Sequence, residues 1–443
     1  MIQYQLQGFT NGDFSFYGGT VFHKNGRNLL LGENGCVILL SDDLIDQMEK
    51  YKLNESLMFK LVQHGLADVP GKMMFKCIKD IEVRYFIIDL TKCCNFDCIY
   101  CFRAFKESRH MSFETLNDIL NYILKYCNSH GLKQIGIQMW GGEPLLEMDK
   151  IRYTAEFFHN SGIRAVIDIE TNASLVTDEI AEELYRLGIR IGVSIDGYPD
   201  IQNTQRKLAS GLASSELVEC GIRHLQKYYG KSIGGITVVT KYNYREISKI
   251  VDYFIYHLGL THMKFNLVRD NGNAKEDGLA LSSEEVGLFL TEMMESVEAY
   301  RALGVDFTEG NLEMKARNLL QRCGISCCIS HGCQGGRRMV SFDYKGDIFP
   351  CEMIDFPEEK IASIYDGVPL DKQIENATLN NSFFISKKAD KCKECCWWYF
   401  CGGGCSSRNQ YLGKIGQVDE TECLINGIVY PKLIEWILDG KIS

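Results

Sequence analysis

Cys94, Cys98 and Cys101 form a C-x3-C-x2-C run directly after an apolar stretch of strand length. A second group is spread over the last part of the chain. Cys333 is followed by twelve residues, Gly346, four residues and Cys351, and then come Cys392-x2-Cys395-x5-Cys401-x3-Cys405 and, seventeen residues on, Cys423. Of the 19 cysteines in 443 residues, eleven lie from Cys323 to Cys423. Cysteines in such numbers form disulfides in small secreted domains or ligate metals elsewhere. Met1-Ile2-Gln3-Tyr4-Gln5 lacks the basic-then-apolar layout of an export signal, so reduced thiols and a cytoplasmic location are expected. Three thiolates on one tight loop can hold three irons of a 4Fe-4S cluster and leave the fourth iron open to a small molecule. The rival readings are burial as small hydrophobes and a zinc site, which needs a fourth ligand that neighbouring Cys93 is badly placed to supply. At Cys392-x2-Cys395 zinc explains the spacing equally well.

The elements that must position the first loop are legible from periodicity. From residue 81 apolar runs of strand length, near 83–90, 134–140, 164–170, 189–195, 233–239 and 262–268, alternate with helical stretches near 112–127, 149–160, 177–187, 214–228 and 244–258. Such repeated βα units build a parallel sheet whose chemistry gathers at the C-terminal strand ends. Six units make a barrel or open barrel. Trp140-Gly141-Gly142-Glu143-Pro144, Glu170-Thr171-Asn172 and Ser194-Ile195-Asp196-Gly197 each close one of these strands, and Arg206 follows the last of them. Glycines at a strand end let backbone approach a ligand with no Cβ in the way.

Taken together, the cysteine loop with the aromatic Tyr100 before its last cysteine, the Gly141-Gly142-Glu143-Pro144 segment and the downstream cysteines resemble the radical S-adenosylmethionine (SAM) superfamily with a C-terminal SPASM extension. The resemblance spans roughly residues 82–425. It implies an α/β fold: a partial (β/α)6 radical SAM barrel, an N-terminal winged-helix-like α+β domain and a C-terminal iron–sulfur domain. It implies SAM and three 4Fe-4S clusters as cofactors. SAM would be contacted by Tyr100, Gly141, Gly142, Glu143, Pro144, Glu170, Thr171, Asn172, Ser194, Asp196 and Arg206. Relatives often carry a histidine a few residues before that arginine, where this chain reads Ile201-Gln202-Asn203-Thr204. Carried over, Cys94, Cys98 and Cys101 hold the first cluster. Cys327, Cys333, Cys351 and Cys405 hold one auxiliary cluster, with Cys328 an alternative to Cys327. Cys392, Cys395, Cys401 and Cys423 hold the other. Glu352, where sulfatase-maturing relatives carry an aspartate, would act as a base on the substrate.

Residues 1–80 read as a unit of their own. Strand-and-turn composition runs to about Gly35, a helix follows an N-cap at Ser41 with Leu44, Ile45 and Met48 at helical spacing, and a second holds Leu57, Met58, Leu61 and Val62. Residues 81–280 are the expected barrel, 281–322 a helical bridge and 323–443 the SPASM domain. Maturases of ribosomally made peptides often carry a winged-helix element that captures a leader peptide as an added strand. The expected function is therefore a radical SAM enzyme that crosslinks a small precursor peptide through a thioether or C–C bond, fed by a flavodoxin- or ferredoxin-type electron donor. An anaerobic sulfatase maturase is the alternative enzyme. A non-catalytic iron–sulfur electron-transfer protein would need neither the Gly-Gly-Glu-Pro segment nor an open iron. Basic residues number 48 against 58 acidic ones, for a net charge of −10, which argues against nucleic acid, and no apolar run reaches the roughly 20 residues of a membrane span.

Overall fold

The computed structural model describes residues 1–69, 81–103, 108–321, 332–354, 356–384 and 389–442. Six parallel strands lie where the sequence pattern puts them: Tyr85–Thr91, Gln134–Gly141, Arg164–Thr171, Arg190–Ser194, Gly234–Val239 and His262–Leu267. They pair in that order, each parallel to the next. Ile137 lies between Phe86 and Ile167 in register. Apolar side chains on both faces, such as Phe86, Ile87 and Ile88 on consecutive positions, are what a sheet covered on both sides requires.

Among the described residues the helices Phe113–Ser129, Met148–His159, Asp178–Arg186, Ser215–Tyr229 (after the short Pro199–Gln205) and Ile247–Asp252 return the chain between these strands, the last widening into a π-helical turn at Tyr253–His257. Two of their starts are set by side-chain caps, where Ser112 accepts the Thr115 N–H and Thr177 accepts that of Ile180. Their inner faces follow the helical period, with Leu116, Ile119, Leu120 and Ile123 all buried in the common core. Two more helices, Ser283–Ala302 and Gly310–Gln321, follow the sixth strand.

Past residues 322–331, which lie outside the described residues, the chain re-enters the same sheet. Met339–Phe342 adds in parallel beside the first barrel strand, with Met339 opposite Tyr85, and Asp347–Phe349 and Ala362–Ser363 continue antiparallel. The barrel sheet and the cysteine-rich part therefore share one ladder. The barrel stays open, because the sheet ends on Thr308–Glu309 at one side and Ala362–Ser363 at the other.

The N-terminal part is a four-stranded antiparallel sheet, Ile2–Leu6, Gly19–Lys24, Arg27–Gly32 and Val37–Ser41, with a small three-stranded sheet and helices Asp42–Glu49 and Glu55–Gln63. Ile45, Met48, Leu57 and Leu61 face its core, as their spacing predicts. Ser41 takes the N-cap position without a side-chain cap bond. The opposite face of the sheet is also covered. Phe22 stacks on Trp397 at 5.6 Å, and Lys24 reaches Glu435 on the C-terminal helix Glu420–Leu438 at 2.7 Å and Asp439 at its C-cap at 2.8 Å.

Candidate active site

The loop that carries Cys94, Cys98 and Cys101 leaves the first barrel strand and is tied down from three sides. Its short strand Phe96–Cys98 pairs antiparallel with Arg206–Leu208, which sets Arg206 opposite Cys98. The second strand's end holds it through Glu143 N–H to Cys93 O at 2.9 Å. A Cβ on Gly142 would stand 2.2 Å from Cys93 O, so glycine there is required by this close approach of two backbones. The third contact is Asn172, whose amide donates to Asn95 Oδ1 at 2.8 Å.

The sequence-predicted residues divide into those that brace and those that face open space. Glu143 is buried and its carboxylate accepts from Leu145 N–H (3.1 Å), Thr171 Oγ1 (2.7 Å) and Asn172 N–H (2.8 Å). It clasps the second strand end to the third. Burial pushes its carboxyl up, against the pull of these donors. Asp196 accepts from the Tyr100 hydroxyl at 2.6 Å, from Val238 N–H at 3.0 Å and from the Gln205 amide at 3.2 Å. Arg206 donates to Tyr100 in turn, and its Nε is buried without a hydrogen-bond partner. Burial opposes the Arg206 charge, but Cys98, Tyr100 and Asp196 hold it well above its ordinary pKa. Burial also pushes the Cys98 thiol up to about 12, with Arg206 acting the other way. Pro144 is buried at the start of a short 3-10 turn, and Ser194 is half-buried at its strand end.

Glu170 faces a cavity of about 680 Å³ that opens from the barrel interior towards the cysteine-rich part. Its wall includes Trp140, Lys264, Cys333, Cys351, Glu352 and Cys405. Burial raises the Glu170 carboxyl, Lys264 lowers it, and Glu352 and Asp168 raise it further. Glu352 Oε2 and Trp140 Nε1 are buried there without hydrogen-bond partners.

Six of the later cysteines gather in two groups. Cys351 feels the charges of Glu352, Cys333 and Cys405, though burial is what chiefly raises its thiol well above the ordinary value. Cys405 goes the other way: burial would raise it, but Arg269, Arg408 and the Ser407 hydroxyl outweigh this and lower it. Cys423 lies near Cys392 and Cys395. Cys401 lines the main cavity and meets Glu422, Asn426 and Lys315. Cys327 and its alternative Cys328 lie outside the described residues.

Pattern reading missed several residues at the site. Arg103, two positions past Cys101, makes a buried ion pair at 2.8 Å with Asp89 of the first strand. His110 lies 3.3 Å from Cys93 Sγ and also meets Glu147, itself paired with Lys150. The only sequence signal was a charge inside a strand-like run at Asp89, and nothing pointed to its partner.

The donor set of the first loop fits an iron–sulfur cluster. Cys94, Cys98 and Cys101 lie within electrostatic reach of one another, and none is in a disulfide. Among the described residues no three His, Cys, Asp or Glu side chains converge on a single-ion site. A 4Fe-4S cluster takes its thiolates at separate corners. No described helix is long and apolar enough to cross a membrane.

Residues 88–254 match the family model of the Radical SAM superfamily. An uncharacterized protein of Methanocaldococcus jannaschii is 32% identical over 189 residues, 42% of this chain and 63% of that protein, so the match spans less than two thirds of its length. The cysteine-type anaerobic sulfatase-maturating enzyme of Clostridium perfringens (strain 13) is 24% identical over 333 residues, 70% of this chain and 85% of the enzyme. Among solved structures, native anSMEcpe with bound AdoMet and Cp18Cys peptide superposes with a TM-score of 0.69 at 20% identity, covering 81% of this chain and 99% of that one. Streptococcus suis SuiB bound to precursor peptide SuiA gives 0.56 at 17% identity, covering 94% and 99%. The shared fold is the radical SAM α/β fold.

Proposed function

We propose that this chain, which carries a radical SAM domain at residues 88–254, is a maturase that installs a thioether or C–C crosslink in a ribosomally made precursor peptide. The observation that carries this reading is the N-terminal sheet. Its edge strand Ile2–Leu6 pairs on one side only among the described residues, and the barrel chemistry does not require it. An unpaired edge is where an extended leader peptide adds as a further strand, with backbone hydrogen bonds supplying much of the affinity. In support, the SuiB fold accounts for 94% of this chain and the anSMEcpe fold for 81%.

Cys94, Cys98 and Cys101 would hold a 4Fe-4S cluster. With AdoMet bound, that cofactor supplies a 5′-deoxyadenosyl radical able to take a hydrogen atom from the substrate. Glu143, Asn172, Asp196 and Tyr100 act as braces that keep the cysteine loop and the strand ends in one arrangement. Glu170 and Ser194, at strand ends, are the proposed contacts to AdoMet. Cys333, Cys351 and Cys405, with Cys327, would hold one auxiliary cluster, and Cys392, Cys395, Cys401 and Cys423 the other. Glu352, in the cavity wall between the barrel and Cys351, would take the proton released when a crosslink to sulfur, nitrogen or oxygen closes. A flavodoxin- or ferredoxin-type protein would supply electrons.

The alternative, an anaerobic sulfatase maturase, is supported by the alignment with the Clostridium enzyme over 70% of this chain. Co-expression with a short peptide encoded beside the gene, and separately with a sulfatase peptide, followed by mass spectrometry, decides between them. A crosslinked peptide keeps every heavy atom and lacks hydrogens in pairs, whereas formylglycine made from cysteine loses the sulfur. Formylglycine in the sulfatase peptide, with the short peptide unchanged, would overturn the crosslinking reading.

A further inference from the structure

The loop after the sixth barrel strand touches both groups of cysteines. At its near end Asn273 N–H donates to Cys101 O at 3.2 Å and the Asn273 amide to Cys98 O at 3.4 Å. Gly272 sits so close to Cys101 that a Cβ would lie 2.5 Å from its carbonyl oxygen. At the far end Arg269 Nη1 lies 3.5 Å from Cys405 Sγ and 2.5 Å from Ser407 Oγ. Within five residues the barrel reaches from the loop of Cys94, Cys98 and Cys101 to a sulfur of the cysteine-rich part.

The second arginine near that sulfur is differently placed. Arg408 gives its charge to the buried Asp419 at 2.6 Å, and Asp419 also accepts Cys405 N–H at 3.2 Å. Arg269 is thus the cation whose guanidinium is hydrogen-bonded to the Cys405 sulfur itself, and both residues line the main cavity.

We propose that Arg269 is a positioning residue that tunes the reduction potential of the auxiliary cluster held through Cys405. This rests on the reading of Cys405 as a cluster ligand. A reduced cluster carries one more negative charge than an oxidised one. A cation hydrogen-bonded to a ligand sulfur stabilises the reduced form, the more so where water is excluded. Because Arg269 belongs to the barrel, the potential of a cluster in the C-terminal part is set partly by the loop that also braces Cys98 and Cys101.

The test uses the full chain, reconstituted anaerobically with iron and sulfide, in the Cys94→Ala, Cys98→Ala, Cys101→Ala background so that auxiliary clusters alone are observed. Iron analysis and an EPR-monitored potentiometric titration are compared for the parent, Cys405→Ala, Arg269→Gln and Arg269→Lys. Cys405→Ala identifies the signal concerned; if it changes neither iron nor any signal, the ligand reading fails and the inference with it. Arg269→Gln is expected to keep its iron and to show a reduced-to-oxidised ratio about tenfold lower at fixed potential, about 59 mV for one electron, with Arg269→Lys in between. Should Arg269→Gln lose that cluster's iron while Arg269→Lys keeps it, the charge requirement is upheld. A loaded Arg269→Gln within about twofold of the parent ratio overturns the proposal, as does loss of the iron in Arg269→Lys as well, which would make the role one of shape.

Discussion

Glu352 and Gly142 illustrate two ways in which a single residue matters here. Glu352 presents an unpartnered carboxylate oxygen in the wall of a cavity shared with Glu170 and Lys264. Glu352→Gln keeps size and polarity but removes the proposed base. Crosslinking is expected to fall by roughly 10²–10⁴-fold while uncoupled 5′-deoxyadenosine formation continues. The check is peptide mass spectrometry beside a nucleoside assay, and a variant within about threefold of the parent would clear Glu352 of that role. Gly142 has no chemistry of its own. Its Cβ would meet Cys93 O at 2.2 Å, an overlap that costs about 1–3 kcal/mol unless the loop shifts. Gly142→Ala is expected to lower iron content by up to about four atoms per chain and to abolish AdoMet cleavage. Gly427→Ala, at a helical glycine with nothing within 4 Å of its Cβ, is the neutral control.

Among the elements, the long helices Ser283–Ala302 and Glu420–Leu438 are joined through Glu298. It accepts from Trp436 Nε1 at 2.7 Å and pairs with Lys441 at 2.7 Å and Lys432 at 3.2 Å. Burial works against its charge, yet these three partners outweigh it and hold the carboxyl down at about 2, from an ordinary 4.5. A depressed carboxyl stabilises the fold fully above its unfolded pKa, and that stability is lost as the pH falls through the folded value. Glu298→Gln should therefore lose about 1–3 kcal/mol near pH 7. The gap from the parent should shrink below about pH 4.5 and close near pH 2. Urea unfolding of the metal-free chain near pH 7 and near pH 3 measures this, and an equal gap at both would mean that the carboxylate contributes through packing alone.

On the scale of the whole molecule, the N-terminal sheet is buried on both faces, against its own helices and against Trp397 and the C-terminal helix. Removing it would uncover Trp397, which also stacks on Tyr430 at 5.1 Å. Variants at the edge strand Ile2–Leu6 are therefore the better probe of leader binding than truncation. Three four-iron clusters would give about 12 irons and 12 sulfides per chain after anaerobic reconstitution. Replacing Cys94, Cys98 and Cys101 with alanine should leave about eight irons and no 5′-deoxyadenosine. Tightly bound zinc with fewer than about six irons would sink the three-cluster assignment.

Order along the chain is what the amino-acid sequence determined by itself. The six strands and five helices fell within a few residues of their expected places, because apolar runs of strand length, the helical period of 3.6 and capping residues such as Ser112 are local signals. The cysteine spacings and the Gly141-Gly142 pair were legible for the same reason. Tertiary structure alone decided which distant segments meet. Pairing of Arg206 with Cys98, insertion of Met339–Phe342 beside Tyr85, stacking of Phe22 on Trp397 and contact of Arg269 with Cys405 join residues between 108 and 375 positions apart. Nothing in a local window records such a pairing: each partner alone is an ordinary arginine, strand or aromatic residue. Glu143 shows the same limit at one side chain. Its place in the motif was plain, but only the folded strand ends show that its carboxylate is occupied by Leu145, Thr171 and Asn172 and so acts as a clasp.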